Sequence, residues 1–144
     1  MVSKLFLYEA GALTYHYKNN TFNLALNWRD KLDKFASDNN IKTFNPAKTY
    51  LIERNHTYNP IIAVHQNKWY LDKSDILILD MNYIDYSPGT QWECVYASQV
   101  KRIPIIAFGK KHWSPHIMSG ISHLCKDIDE VIEVLINMFG QSFS

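Results

Sequence analysis

Apolar and polar positions alternate along the chain in the blocks that a parallel α/β sheet needs. Five short apolar runs have the length of buried strands, at 4–8, 41–44, 76–79, 103–108 and 121–124. Between them, apolar residues recur every three or four positions, which predicts amphipathic helices at 20–38, 61–72, 91–101 and 127–139. Strands that alternate with helices predict one doubly wound α/β domain over residues 1–144, a flavodoxin-like or Rossmann-like parallel sheet of about five strands.

The same periodicity predicts which side chains face the core. In the 20–38 helix, Trp28 shares a face with Ala25, Leu32 and Phe35, so it is predicted to be a core residue. The last helix has a predicted buried stripe of Ile128, Val131, Ile132, Leu135 and Ile136. Two segments lack periodicity: 48–60 is polar and predicts a flap over a crevice, and 112–120 is irregular.

The stretch from 75 to 108 carries the strongest chemical signal. An apolar strand is followed by the loop Ser87-Pro88-Gly89-Thr90, then by a helix and a second apolar strand. Ligands of such folds bind at the carboxyl ends of the strands, where this loop is expected. Glu93 is predicted to point inward from the first helical turn, because its helical face is shared with Tyr96, Ala97 and Val100.

Thr90 and Glu93 allow two interpretations. Thr-x-x-Glu is the spacing of a capping box, in which the two side chains satisfy backbone amides at a helix start. A carboxylate at the mouth of the crevice is also a candidate catalytic group. From spacing alone the cap is favoured, because capping boxes are common.

Composition narrows the class of protein. The 144 residues are 47% hydrophobic and 14% aromatic, with a net charge of +1. That charge gives no electrostatic case for a nucleic-acid or membrane partner. Two cysteines predict no disulfide framework and fit a reducing cytoplasm. No apolar run has the length of a signal peptide or a transmembrane helix.

The histidines and glycines do not form a recognised cofactor motif. His112 and His116 are four residues apart, but Trp113-Ser114-Pro115 between them is a poor helix. Cysteines and histidines show no zinc spacing, so the six histidines are predicted to be surface or loop residues. Phosphate-binding loops and G-x-S-x-G elbows are absent from the sequence. We therefore predict neither a metal nor a cofactor.

Several motifs, in order, resemble the nucleoside 2-deoxyribosyltransferase superfamily, which includes the 2'-deoxynucleoside 5'-monophosphate N-glycosidases. Tyr8-Glu9-Ala10-Gly11 resembles the family's Tyr-x-Ala-Gly turn, and Asn27-Trp28-Arg29 is similar to a segment of some first helices. Ser87-x-Gly89-Thr90-x-Trp92-Glu93 resembles the motif that carries the nucleophilic glutamate, and 102–106 resembles the strand after it. The resemblance extends from about residue 4 to about residue 135.

The resemblance implies an enzyme that breaks the N-glycosidic bond of 2'-deoxynucleosides or their 5'-monophosphates. Glu93 would be the nucleophile, with Tyr8 holding its carboxylate, and the sugar would pass to another base or to water. A carboxylate suits this chemistry because bond cleavage builds positive charge on the sugar. Gly11, Gly89 and Thr90 would line the substrate site. With this resemblance the catalytic interpretation of Glu93 replaces the cap.

Departures from the family pattern affect the substrate contacts. Asn67 stands where the family has an aspartate that meets the base, and an amide cannot deliver a proton. Asp80 and Asp85, near the loop after the third strand, are the candidates to replace it. Ser87 stands where several transferases have an aspartate, as in relatives that bind a 5'-phosphate. Glu9, where the family has an apolar residue, adds negative charge against a phosphate.

The resemblance also implies a homo-oligomer whose sites are completed by a neighbouring subunit. Segment 115–118 resembles the part that crosses over, and it would bring His116 and Met118 to the substrate. Two alternatives stay open at this point. One is a nucleotide-binding module that kept the pocket and lost turnover, which Asn67 favours. The other is a flavodoxin-like interaction domain, which leaves the Gly89-Thr90…Glu93 pattern unexplained.

Overall fold

The structure is a computed structural model that describes residues 4–54 and 59–143, without the side chains of 51–54. Five parallel strands form one sheet in the order β2-β1-β3-β4-β5. The strands are β1 (Phe6–Ala10), β2 (Lys42–Phe44), β3 (Ile76–Asp80), β4 (Ile105–Phe108) and β5 (His123–Cys125). The predicted five-stranded α/β fold is therefore confirmed.

Helices cover both faces of this sheet. They are α1 (Thr14–Lys18), α2 (Phe22–Asp38), α3 (Ala47–Arg54), α4 (Pro60–Asp72), α5 (Pro88–Val95), α6 (Pro115–Met118) and α7 (Ile128–Phe139). A π-helical turn, Tyr96–Lys101, extends α5, and short 3-10 helices lie at Ile84–Tyr86 and Gly140–Ser142. Segment 20–38, predicted as one helix, thus begins at Phe22, and the separate α1 precedes it.

The core has two layers, one on each face of the sheet. Leu7, Ile78 and Ile106 pack with α2 and α7, while Tyr8, Leu77 and Leu79 pack with α4 and α5. Every residue of β3 is buried, as expected for a central parallel strand. Trp28 is 7% exposed and meets the Phe108 ring edge-on at 5.2 Å, so its predicted core position is confirmed.

The predicted flap over 48–60 is wrong where the structure describes it. Residues 47–54 form helix α3. The Asn45 side chain accepts a hydrogen bond from the Ala47 amide at 3.0 Å, which starts the helix directly after β2. Segment 55–58 of the predicted flap lies outside the described residues.

Two residues predicted to be buried are exposed. Val100 is 62% exposed, because the π-helical turn after Val95 changes the helical register and moves it off the inward face. Ala97, earlier in the same turn, remains fully buried. Ile136 is 51% exposed, since it lies at the edge of the buried stripe, whose middle is formed by Val131 and Leu135.

Candidate active site

A cleft of about 660 Å³ lies at the carboxyl end of β1, between the turn after that strand, α4 and the start of α5. Its walls bring together parts of the chain that are more than 80 residues apart, as expected at the strand ends of a doubly wound sheet. Six of the predicted site residues line it: Gly11, Asn67, Ser87, Gly89, Thr90 and Glu93.

The Tyr8 hydroxyl donates a hydrogen bond to Oε2 of Glu93. Tyr8 lies on β1 and is fully buried, while Glu93 lies on α5 and is 9% exposed. Burial, followed by the nearby charge of Glu93, raises the pKa of Tyr8, so its hydroxyl remains a donor. The predicted contact between the two residues is present, and it ties the carboxylate to the interior strand β1 at the wall of the cleft.

Burial raises the pKa of the Glu93 carboxyl to about 7. The Tyr8 hydrogen bond and the positive charge of Arg29 act in the opposite direction and limit that rise. Near neutral pH a substantial fraction of Glu93 is therefore ionised. Because the anion is only partly solvated, it is more reactive toward a positive centre than an exposed carboxylate.

The capping-box interpretation of Thr90 and Glu93 is wrong. Helix α5 begins at Pro88 with Ser87 as its cap, and Oγ of Ser87 accepts from the Thr90 amide at 3.4 Å. The hydroxyls of Ser87 and Thr90 lie 2.6 Å apart and share a hydrogen bond. Glu93 consequently lies in the second turn, not the first, and its carboxylate is free to meet Tyr8.

Arg29 is a functional candidate that the sequence analysis missed. The side chain is fully buried and stacks on the Trp28 ring at 4.5 Å. Its guanidinium donates to the carbonyls of Ala25 at 2.8 Å and Gly11 at 3.2 Å. The helical spacing that predicts Trp28 as core also places Arg29 on the buried side of α2, and an arginine on such a face was the signal.

Gly11 lies where a side chain would be crowded. A Cβ there would meet Asp80 Cβ at 3.1 Å and both Arg29 Nη2 and Trp28 at 3.3 Å. The turn after β1 therefore packs directly on the arginine, whose charge favours ionised Glu93, Glu9 and Asp80 around it. Glu9 and Ala10, predicted to lie in this turn, instead complete β1.

Glu9 is less readily ionised than the sequence suggested. It is fully buried, and neither carboxyl oxygen has a hydrogen-bond donor among the described residues at bonding distance. Burial, and then the neighbouring Asp33, raise the pKa of Glu9 well above its usual value. The raised pKa lowers the ionised fraction of Glu9 and so weakens the sequence-based case against a phosphate group in the cleft.

Three predicted site residues lie away from this cleft. Asp85 turns the other way, and its carboxylate lies 2.6 Å from Nε2 of His112. His116 is exposed on α6, and Met118 packs in the core, where its sulphur accepts from the His112 amide at 3.4 Å. The structure does not place Asp85 where it could protonate a departing base. The role of His116 and Met118 at a neighbour's site stays a prediction.

A second cleft, of about 740 Å³, lies at the carboxyl ends of β3 and β4. Its walls include Asp80, Lys110 and Lys111, together with His16 and His112. His16 is buried on α1, so its prediction as a surface or loop residue is wrong, whereas His112 is buried but lies in a loop, as predicted. Burial raises the pKa of Asp80 to about 6, and the Asn82 amide and the Arg29 charge limit the rise.

In the described part of the chain, no helix is long and apolar enough to cross a membrane. No protein-family model matches the sequence, and no curated protein matches it. Among solved structures, the chain shares the fold of a nucleoside-processing enzyme. That structure is the 2-deoxyribosyltransferase of the psychrotolerant bacterium Bacillus psychrosaccharolyticus, with a TM-score of 0.63 and 18% identity over 88% of this chain and 90% of that one. The resemblance to the superfamily is thus confirmed at the level of the fold.

Proposed function

We propose that this protein breaks the N-glycosidic bond of 2'-deoxynucleosides or their 5'-monophosphates through a covalent intermediate on Glu93. The observation that carries the proposal is the Tyr8–Glu93 pair at the wall of the cleft. The shared fold with a 2-deoxyribosyltransferase supports the reaction class. The Tyr8–Glu93 pair alone would suit any reaction at a carbon that develops positive charge. The fold shared with a 2-deoxyribosyltransferase is the reason to propose a sugar carbon.

The reaction has two displacement steps. An oxygen of Glu93 bonds to C1' of the sugar as the bond from C1' to the base nitrogen breaks, and the bonding electrons leave with the base. A second base or water then bonds to C1', the ester oxygen departs, and the Glu93 carboxylate is restored. Throughout, Tyr8 holds the carboxylate by its hydroxyl, which limits the rotation of the side chain.

Proton supply to the departing base is the weak step in this site. Asn67, on α4, lines the cleft at the place where the family pattern has an acid, and its amide can donate only a hydrogen bond. Asp85 is turned away toward His112. We therefore expect slow cleavage that is limited by leaving-group departure.

We further propose that 5'-monophosphates bind better than the matching nucleosides. The Ser87 hydroxyl and the Gly89 amide lie at the start of α5, where the helix dipole attracts an anion, while the Thr90 amide is paired with Oγ of Ser87. The raised pKa of Glu9 weakens an opposing charge. Competition binding with a nucleoside and its monophosphate tests this preference, which equal affinities, or tighter binding of the nucleoside, would refute.

We propose that a second copy of the chain covers an apolar surface beside the cleft. Large side chains are exposed along α4 and α5: Ile61, Ile62, Val64, Trp69, Trp92 and Val95. Val64 and Trp92 also line the cleft, so a partner here would close it. Sedimentation analysis should show an oligomer that Trp69→Lys weakens, with Lys68→Glu, on the same helix, as the control. A monomeric wild type would refute this part.

The test of the function itself is chromatography of nucleoside and nucleotide panels, with and without a free acceptor base. Release of a free base shows hydrolysis, and a new nucleoside shows transfer. The alternative function, favoured by Asn67, is a nucleotide-binding module without turnover. It would replace the proposed enzyme if nucleotides bind, the wild type cleaves none, and Asn67→Asp restores no cleavage.

A further inference from the structure

Three side chains of different chemistry converge at the edge of the sheet that β5 forms. His123 and Cys125 are two residues apart on that strand, so their side chains project toward the same face. Glu130, in the first turn of α7, returns to the same place. A ring nitrogen of His123, the sulphur of Cys125 and a carboxylate oxygen of Glu130 all lie within 4.8 Å of one another.

We propose that His123, Cys125 and Glu130 bind a zinc ion at a site separate from the cleft that Glu93 lines. Zinc accepts sulphur, nitrogen and oxygen ligands in a tetrahedron, with bonds that place ligand atoms about 3.5 Å apart. Rotation of the exposed His123 side chain can close the remaining distance. A thiolate ligand disfavours magnesium and calcium, which prefer oxygen alone.

The backbone around the three residues already orients one of the ligands. The Lys126 amide donates to Oε2 of Glu130 at 3.0 Å, which fixes the carboxylate and leaves Oε1 as the metal ligand we assign. Asp127 caps α7 by accepting from the Glu130 amide at 3.0 Å, so the first turn of the helix is held in place. Such outer hydrogen bonds are typical supports of metal ligands.

The local charges also suit a divalent cation. Two carboxylates, those of Glu130 and Asp127, lie at the start of α7, the helix that follows this strand. A bound cation would replace the thiol proton of Cys125. The positive amino end of α7 acts against a cation there, and the acidic residues of its first turn offset it.

A bound ion would join β5 to α7. The strand is short, with three residues, and it lies at the edge of the sheet. Its last residue already connects to the end of β4, because the Cys125 carbonyl accepts from the Gly109 amide at 3.1 Å. Since an ion that binds only the folded chain stabilises it, we expect zinc to raise the melting temperature.

The test is a titration of the metal-free, full-length protein with cobalt(II), which reports a thiolate ligand by a charge-transfer absorption. Wild type and Cys94→Ser should each bind one equivalent with that absorption, and zinc should displace it. Cys94 is the matched control, because both thiols are free and buried. Cys125→Ser should abolish the absorption, and His123→Gln and Glu130→Gln should each weaken binding at least about tenfold.

Circular dichroism of each variant checks that it is folded, and Cys125→Ser is the most conservative change available. The proposal is overturned if wild type gives no thiolate absorption, or if Cys125→Ser gives the same absorption as wild type. It is also overturned if both His123→Gln and Glu130→Gln bind as wild type does. A zinc-dependent rise in melting temperature in Cys94→Ser, but not in Cys125→Ser, would support it independently.

Discussion

The two clefts at the carboxyl edge of the sheet are alike in the properties that often direct attention to an active site. Their volumes are about 660 and 740 Å³, and the larger one is not the cleft that holds Glu93. Each has a buried carboxyl whose pKa burial raises, to about 7 for Glu93 and to about 6 for Asp80. Arg29 lowers the pKa of both.

The two carboxyls differ in their donors and in the walls around them. Glu93 accepts from a side-chain hydroxyl, that of Tyr8, and its cleft is also lined by Ser87, Gly89 and Thr90 at the start of α5. Asp80 accepts from the Asn82 amide at 2.9 Å, which fixes the loop after β3, and its cleft is walled by Lys110 and Lys111. Cleft volume and a raised pKa therefore do not distinguish the two carboxyls, whereas their hydrogen-bond partners differ, and we base the proposed roles on those partners.

The largest expected effect separates the two carboxyls directly. Glu93→Gln should remove about a hundredfold to a millionfold of the cleavage rate, the range for loss of a covalent nucleophile. Asp80→Asn, the matched change in the other cleft, should keep the rate within about threefold of wild type. Rates are compared by chromatography, and equal losses in both variants would contradict the assignment.

The second prediction concerns stability against pH. Glu93 has a pKa of 4.5 when unperturbed and about 7 in the folded protein, so the folded state holds its proton longer. Its contribution to the free energy of unfolding is present below pH 4.5 and is lost as the pH rises to 7. The free energy of unfolding of Glu93→Gln, relative to that of wild type, should therefore rise by up to about 3 kcal/mol as the pH goes from 4.5 to 7.

Denaturant unfolding of both proteins at several pH values measures this gain. The raised pKa values of Glu9 and Asp80 act in the same direction in both proteins and largely cancel in the difference. Parallel stability curves for wild type and Glu93→Gln would show that Glu93 titrates normally in the folded state. A cap at this position, by contrast, would make the variant less stable at every pH.

Much of the fold was predictable because strand and helix periods are local. The five strands and the buried Trp28 follow from them, while the π-helical turn that exposes Val100 does not. Helix α3 was missed because Asn45-Pro46 both ends a strand and begins a helix. A polar segment after such a pair therefore needs its cap to be identified before it is assigned as a loop.

The site was predictable where a motif carried it, as for Tyr8 and Glu93. Asp85 was misplaced because the direction of its side chain depends on the 3-10 turn at Ile84–Tyr86 and on His112, far along the chain. Arg29 was missed because its role is electrostatic. Its charge acts on Glu9, Asp80 and Glu93, which lie on three different elements. The zinc trio was missed because Glu130 joins two strand residues only after α7 packs.

The third prediction tests the donor that distinguishes Glu93. Tyr8→Phe should lower the rate about tenfold to a hundredfold, the worth of a hydrogen bond to a charged group. Because that bond lowers the pKa of Glu93, its loss should also move the acid limb of the pH–rate profile to higher pH. A rate loss with an unmoved limb would mean that Tyr8 acts only by packing.

The fourth prediction concerns the acid that the Glu93 cleft lacks at position 67. Asn67→Asp should raise the cleavage rate about tenfold or more, with the largest gain for bases that are poor leaving groups, because an acid at that position can protonate the base. Asn82→Asp places the same change in the other cleft and should give no gain. A uniform effect across bases would show that protonation does not limit the reaction.

The smallest expected effect comes from the walls of the second cleft. Replacement of Lys110 and Lys111 together by alanine should change kcat/KM by less than about twofold, since their exposed charges are screened from the Glu93 cleft. Steady-state kinetics with a nucleotide and its nucleoside measure it. A larger loss for the nucleotide would mean that the second cleft takes part in phosphate binding.

The most direct measurement of the central claim is a search for the sugar ester on Glu93. Wild type is mixed with a 2'-deoxynucleotide, quenched in acid and digested with trypsin, and the peptide 74–101 is weighed by mass spectrometry. We expect this peptide to gain the mass of the transferred sugar in wild type and to gain nothing in Glu93→Gln. Cleavage in wild type without that adduct, or the same adduct in Glu93→Gln, would contradict it.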